Sequence, residues 1–385
     1  MGLRLLKFVD ATLGAFSCRI LSFFGYRLGR GNDPFSPPPS DPRRILVIRP
    51  GGMGDMILFL PVLKELAAAY PKAAIDVVCE KRNVNVLRLS GLNCSALTYD
   101  ADPVSFFAAL LSRHYDFAID TEQFHNISAV FAFLSGAAVR IGFNINPRRN
   151  SLYTHLVPYA PDGPEILQFM KLTHPLGLSP PEPDIDGLLA DAPIEPSPPI
   201  SVQIQSLGSS GGYATIHTGA STRYKRWGTD NFLALIGALR KEHGFDVALA
   251  GGRPDMRLDK SIVRTLKERG ERVVSFSGEC DLKDTAAIIR NSRIFISGDS
   301  GLAHLAAALG TPAVAVFGPT DHRKWGIETK QHAVVRKSLP CSPCFIFGYH
   351  KPCRTITCMK QISVEQVLEA CRRVIRETHS AYSET

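Results

Sequence analysis

No stretch of about 18 uninterrupted apolar residues occurs in this chain, so the sequence predicts no membrane-spanning helix. The complete six-residue glycine fingerprint of a dinucleotide site is missing, and no Gly-Lys-Ser/Thr of a P-loop follows any strand. A nicotinamide dehydrogenase and a P-loop nucleotidase are therefore poor readings. No nucleic-acid-binding motif is present. The nine cysteines are an odd number without the spacing of a small secreted disulfide scaffold, which points to a reducing cytosol. Cys18, Cys79, Cys94, Cys280 and Cys371 are scattered, and four more cluster near the C-terminus. Acidic charge is in deficit, with 36 Asp and Glu against 44 Lys and Arg, a net +8 that suits an anionic partner.

What is present is 385 residues, 45% of them apolar, enough for about two to three domains with real cores. The excess charge is uneven. Arg4, Lys7, Arg19, Arg27, Arg30, Arg43 and Arg44 face only Asp10, Asp33 and Asp41 in residues 1–44, giving +4 there. Leu6, Val9, Leu13, Phe16, Ile20 and Phe23/Phe24 recur at spacings of three and four, with most cations off that stripe. The pattern predicts a basic amphipathic helix, which could lie in an anionic membrane interface or pack on the protein's own body. Asp10 and Arg19 break the apolar stretch of a signal peptide, and no clean small-x-small cleavage site follows. Pro34, Pro37, Pro38, Pro39 and Pro42 then form an extended spacer.

From Arg44 onward strand and helix patterns alternate. Strands are expected at 45–48, 74–78, 96–99, 117–120 and 139–142, with helices between them. After a stretch rich in Pro, Asp and Glu at 175–199, strands are expected at 213–217, 245–249, 272–276, 294–296 and 313–317. Alternation of this kind indicates parallel βαβ units, hence two Rossmann-like α/β halves. A last helix opens at Ser363 with Gln366 three residues on, a capping-box pattern. Ligands of such sheets sit outside the carboxyl ends of the strands, so the two halves are expected to share a cleft.

Chemistry-bearing residues collect at those ends. Phe295-Ile-Ser-Gly-Asp-Ser-Gly-Leu-Ala-His304 reads as a buried strand, a glycine turn and a helix start, a ready anion site. Asp299, Ser300 and Gly301 would stand where the first helical N–H groups point, and His304 lies one turn beyond, in a functional or a structural role. Thr218 leads into Gly219-Ala-Ser-Thr-Arg-Tyr-Lys225, whose Ser221 and Thr222 hydroxyls, backbone amides and Lys225 ammonium suit a diphosphate; the bland reading is a solvated basic loop. Asp255 follows the Gly251-Gly252 turn and is a candidate for ribose hydroxyls. Asp55 ends Gly51-Gly52-Met53-Gly54-Asp55 at a helix start, where it could be a base toward an acceptor hydroxyl or a plain helix cap. Cys341, Cys344, Cys353 and Cys358 could hold a structural zinc or stay as thiols.

Three motifs in order carry a resemblance. Ile45-Leu-Val-Ile-Arg-Pro-Gly-Gly-Met-Gly-Asp55, Thr222-x-x-Lys225-x-Trp227, and Gly298-Asp-Ser-Gly-x-x-His304 followed by Phe317-Gly-Pro-Thr320 resemble glycosyltransferase family 9, over residues 44–375. That family contains the ADP-heptose:lipopolysaccharide heptosyltransferases. The resemblance implies the GT-B plan, with two Rossmann-like domains facing a central cleft. The N-terminal helix and linker occupy 1–43, an acceptor-side domain 44–180, a linker 181–212, a nucleotide-sugar domain with the cysteine cluster 213–362, and a C-terminal helix and tail 363–385. It implies inverting transfer by direct displacement, with no essential metal or cofactor beyond the nucleotide-sugar donor, ADP-heptose. Asp55 is implied as general base. Lys225, Asp299, Ser300, Gly301 and His304 are implied on the donor side. Gly52, Met53, Gly54, Asp120 and Glu122 are placed on the acceptor side. A lipid-linked glycan acceptor and a peripheral position on the cytoplasmic face of the inner membrane complete the expectation. Gly51 and Gly52 stand where members commonly carry serines, and Glu122 where Gln is common. A non-catalytic nucleotide-sugar-binding protein and a nucleotide-sugar epimerase or hydrolase are the alternatives.

Overall fold

Strand order, more than strand composition, determines where a ligand can bind in this protein. The computed structural model describes residues 10–27, 37–179, 182–207, 211–346, 349–350 and 353–383. The chain forms two compact units, 1–184 and 185–385, each built on a six-stranded parallel sheet.

In the first unit α1 (Ala15–Arg27) precedes β1 (Arg44–Ile48), α2 (Met53–Ala69), β2 (Ala74–Cys79), α3 (Val84–Leu89), β3 (Cys94–Thr98) and α4 (Pro103–Ser112). Then come β4 (Phe117–Asp120), α5 (Asn126–Leu134), β5 (Val139–Asn144), α6 (Pro147–Asn150), β6 (His155–Pro158) and α7 (Glu165–Lys171). The sheet order is β3-β2-β1-β4-β5-β6. Ile45 to Ile48 and Phe117 to Asp120 are buried throughout, as strands covered on both faces must be. Pro103 at the first helical position and Asp102, which accepts the Ser105 N–H at 3.1 Å, start α4.

The second unit contains α8 (Pro198–Leu207), β7 (Tyr213–His217), α9 (Thr229–His243), β8 (Asp246–Leu249), α10 (Met256–Glu268), β9 (Val273–Ser275) and α11 (Leu282–Arg290). It continues with β10 (Ile294–Gly298), α12 (Gly301–Ala308), β11 (Ala313–Phe317), α13 (His322–Trp325), β12 (His332–Arg336), α14 (Thr357–Lys360) and α15 (Val364–Ser383). Its sheet order, β9-β8-β7-β10-β11-β12, repeats that of the first unit. The capping box expected at Ser363 is formed: the Gln366 N–H donates to Ser363 Oγ at 3.3 Å and the Ser363 N–H to Gln366 Oε1 at 3.1 Å.

The structure departs from the sequence reading in three places. Edge strands β6 and β12 were not anticipated; β6 buries only Val157 well and ends in Pro158, so it carries little strand pattern. Residues 185–207 are more than a linker. Ile185, Leu189 and Ile194 are buried, the Leu189 N–H reaches Ala308 O at 2.6 Å, and α8 packs on the second unit through Ile200 and Leu207. The N-terminal segment also differs. Arg4, Leu6, Lys7, Val9, Arg30 and Pro34 lie outside the described residues, as do the side chains of Phe24 and Arg27. Over the described part, α1 docks on α5 by Cys18, which is fully buried, while Leu13, Phe16, Ile20 and Phe23 are exposed. No helix among the described residues is long and apolar enough to cross a membrane.

Asp10 fixes that docking. The residue before α5, His125, makes no side-chain cap, and the Asp10 carboxylate supplies one by accepting the Ile127 N–H at 2.8 Å. The Asn126 side chain donates to Asp10 O at 3.3 Å, and the Cys18 thiol to Asn126 O at 3.5 Å. Asp10→Ala is expected to lower unfolding stability by about 1 kcal/mol in urea, whereas Asp10→Asn, which can still cap, keeps most of it. An unchanged midpoint in the alanine variant would remove this cap assignment.

Candidate active site

Each sheet reverses its order at one pair of central strands, β1/β4 in the first unit and β7/β10 in the second. Crossovers leave such a pair in opposite directions, so a crevice opens at the carboxyl ends. Most of the residues singled out from the sequence stand at these two points.

In the first unit β1 runs into Arg49-Pro50-Gly51-Gly52 and then α2. Gly51 has φ 112°, and a Cβ there would sit 2.9 Å from the Arg49 guanidinium. Glycine is required on both counts. Asp55 is half-buried, and its Oδ2 accepts the Gly52 N–H at 3.1 Å. The cap reading and the base reading are compatible, because a carboxylate has about four acceptor positions and this one uses Oδ2 for the cap.

Beside this loop lies a buried ionic cluster. Glu122 accepts from the Arg49 guanidinium and pairs with His125, and Arg49 also donates to Pro50 O at 2.9 Å and stacks on Phe169. Burial alone would raise the Glu122 pKa; Arg49 and His125 outweigh it and hold the carboxyl at about 2. His125 is pushed above the ordinary imidazole range, chiefly by Glu122. Asp120 corrects the expectation of a direct acceptor contact. It is fully buried; Arg149 at 2.8 Å and the Tyr153 hydroxyl at 2.6 Å reach its Oδ2, and the Glu122 N–H donates to its Oδ1 at 2.9 Å. It positions the turn that carries Glu122. Arg49 and His125 were missed in the sequence, although a cation ending an all-apolar strand signals a buried ion pair.

In the second unit the Lys225 ammonium lies 2.6 Å from Asp299 Oδ2, which also accepts the Thr320 hydroxyl at 2.6 Å. Burial would raise the Asp299 pKa; Lys225 and Thr320 reverse this and hold it below the usual carboxylate range. Ser300 caps α12 in position only. It makes no side-chain cap bond, and its hydroxyl lies 3.3 Å from both His217 Nδ1 and Ser297 Oγ. The first-turn amides of α12 are thus left without a side-chain cap, with Lys225 paired to Asp299 just before the helix, the kind of arrangement suited to an anion. His304 is buried one turn on, its ring nitrogens facing Ser300 O at 3.2 Å and Trp325 O at 2.8 Å.

Asp255 sits against Gly219, where a Cβ would come within 1.9 Å of its Oδ1. It accepts the Gly252 N–H at 2.9 Å and lies 3.4 Å from His217 Nε2. Burial raises its pKa, but His217, the Gly252 N–H and Arg226 bring it below the ordinary value. Thr218 is buried and its hydroxyl donates to Asp259, so that side chain faces inward. The Thr222 hydroxyl oxygen is enclosed without a hydrogen-bond partner among the described residues, and Ser221 is exposed. His217, Asp259 and Thr320 complete the cluster and were given no role from the sequence; His217 ends an apolar strand, as Arg49 follows one. Among the described residues no three His, Cys, Asp or Glu side chains are grouped as metal ligands, Cys341, Cys344, Cys353 and Cys358 included.

Residues 104–354 match the family model of glycosyltransferase family 9 (heptosyltransferase). Lipopolysaccharide heptosyltransferase 3 of Escherichia coli is 28% identical over 294 residues, covering 71% of this chain and 82% of the relative. In fold the protein is similar to E. coli ADP-heptose lps heptosyltransferase II, with TM-score 0.68, 22% identity, and 87% and 99% of the two chains covered. It is also similar to E. coli heptosyltransferase WaaC with ADP, with TM-score 0.66, 21% identity, and 86% and 99% covered.

The Glu122 cluster has a measurable pH signature. A carboxyl lowered from 4.5 to about 2 adds stability that is fully present above the unfolded value and is lost as pH falls toward 2. Glu122→Gln leaves Arg49 buried without its counter-charge and is expected to cost about 3–5 kcal/mol at pH 7. The gap from wild type should narrow as pH drops from about 4.5 to about 2. Denaturant titrations at pH 7 and pH 3 that show equal stabilities would contradict the cluster.

Proposed function

The chain belongs to glycosyltransferase family 9, and from that membership we propose that it transfers heptose from ADP-heptose to a hydroxyl of a lipopolysaccharide-type, lipid-linked glycan, with inversion at the anomeric carbon. The observation that carries the reading is the Lys225–Asp299 pair beside the uncapped first turn of α12, a built receptor for a diphosphate. Lys225 has three N–H donors, of which Asp299 takes one. Support for the sugar and nucleotide comes from the similar proteins, described as ADP-heptose and lipopolysaccharide heptosyltransferases.

In this mechanism Asp55 takes the proton of the acceptor hydroxyl while that oxygen forms a bond to the anomeric carbon. The bond from that carbon to the β-phosphate oxygen breaks on the opposite face, and ADP departs with the electron pair. Negative charge grows on the leaving oxygen, and Lys225 together with the α12 amides is aimed at it before the reaction starts, so little reorganisation is needed. Asp255 and Thr222 belong to the donor side, and the Gly52-Met53-Gly54 turn and Glu122 to the acceptor side, with Glu122 acting through Arg49 and His125. A lipid-linked acceptor places the enzyme at the cytoplasmic face of the inner membrane. Exposed Phe16 and Ile20 on α1, Leu13 just before it, and the basic residues of 1–44 support that location.

Two variants test the assignment. Asp55→Ala should cut transfer roughly 10²–10⁴-fold while ADP affinity, read by calorimetry, stays within a few-fold; wild-type turnover would remove the base. Lys225→Ala should weaken ADP binding by roughly tenfold or more, since a charge-assisted hydrogen bond is lost and Asp299 is left facing the phosphates. Unchanged ADP affinity would move the diphosphate elsewhere.

A further inference from the structure

A second exposed apolar stripe repeats the spacing of the first. On α4, Val104, Phe107 and Leu111 stand at i, i+3 and i+7; at the N-terminus Leu13, Phe16 and Ile20 do the same. All six are between 39% and 81% exposed. On α4 residues at this spacing share one side of the helix; Phe16 and Ile20 share one side of α1, and Leu13 stands exposed in the π-helical turn Asp10–Gly14 that leads into it. We propose that these two stripes form a single lipid-docking face, with α4 as a second anchor beside α1; this rests on the membrane location proposed above.

Both helices flank α5. Phe106 and Phe107 of α4 pack on Phe131 of α5, at ring-centroid distances of 4.8 and 6.0 Å, while Asp10 and Cys18 hold α1 to the start of the same helix. The crossovers from β3 to β4 and from β4 to β5 run in one direction, so right-handedness puts α4 and α5 on one side of the sheet. Neither stripe can roll inward. The buried Phe106 and Leu110 fix α4, and the fully buried Cys18 and the Asp10 cap fix α1. Exposure of six large apolar side chains is therefore built in, at a cost in water that an apolar partner removes.

Charge selects the partner. Exposed Arg19 lies on α1, and exposed Arg148 lies on α6, against which α1 packs. The segment 1–44 contributes half of the net +8. Apolar side chains rimmed by cations fit anionic headgroups over acyl chains. A second copy would instead bring Arg19 and Arg148 of each chain toward like charge, in a protein of net +8.

The test uses the full chain and co-sedimentation with vesicles of phosphatidylethanolamine and phosphatidylglycerol, against pure phosphatidylcholine. Wild type is expected to bind the anionic vesicles preferentially. Val104→Ser/Leu111→Ser should reduce that partition roughly tenfold, with ADP affinity and transfer to a delipidated acceptor fragment unchanged. Equal binding by the double variant overturns the proposal and leaves α1 as the anchor. No binding by wild type overturns both the proposal and the membrane location. A dimer in sedimentation velocity that the double variant abolishes assigns the face to a second copy and overturns the lipid assignment. Failure of transfer with vesicle binding intact counts against the proposed reaction alone.

Discussion

A parallel strand can return to its sheet only by a crossover, and in both units of this protein the crossovers part at one central pair of strands. That constraint leaves two crevices, over β1/β4 and over β7/β10. Each crevice is furnished with ion pairs, chief among them Arg49–Glu122 in the first unit and Lys225–Asp299 in the second. The glycines follow from the same geometry. Gly51 turns the chain at positive φ against Arg49, and Gly219 leaves room for the Asp255 carboxylate.

The two ion pairs do different work, and their surroundings show which does what. Side-chain exposure of Arg49 and Glu122 is 3% and 4%; Arg49 is further tied by the Pro50 and Thr121 carbonyls, and Glu122 by His125. Breaking such a pair strands a buried charge, so it serves as a rigid wall behind the Asp55 loop. Lys225 and Asp299 keep 12% and 9% exposure and sit at a helix N-terminus. In the proposed reaction an incoming diphosphate meets Lys225 while Asp299, itself held by Thr320, keeps the ammonium aimed. Fixed positive charge that needs no rearrangement lowers the barrier for a leaving group that gains negative charge.

Much of this was legible in the sequence, for identifiable reasons. All ten strands expected from apolar runs formed; the central ones, such as β1, β4 and β10, are buried on both faces and read as nearly continuous apolar runs. The edge strand β6 escaped because it is mostly exposed and ends in Pro158; β12 is largely buried, but its apolar run is only Ala333 to Val335 between His332 and Arg336. Asp299, Ser300 and Lys225 could be singled out because a glycine turn after a strand has a distinctive local composition. Arg49, His217 and Asp259 were not, because each acquires its role from partners 18 or more residues away; His125 pairs with the nearby Glu122, but only the turn after β4 brings the two together. Asp120 shows what a motif match leaves out: the resemblance implied it on the acceptor side, and Arg149 and Tyr153, 29 and 33 residues further on, draw its carboxylate inside. The stripe on α1 was visible as a period of three and four, yet whether it turned toward the body or away depended on the Asp10 cap on α5, a contact 117 residues distant.

The most direct test of the central claim is calorimetric titration of the purified full chain with a panel of nucleotide sugars, ADP-heptose among them. Tight and selective binding of ADP-heptose over UDP- and GDP-linked sugars is the predicted result. Preference for another nucleotide sugar, or no binding to any, would contradict it.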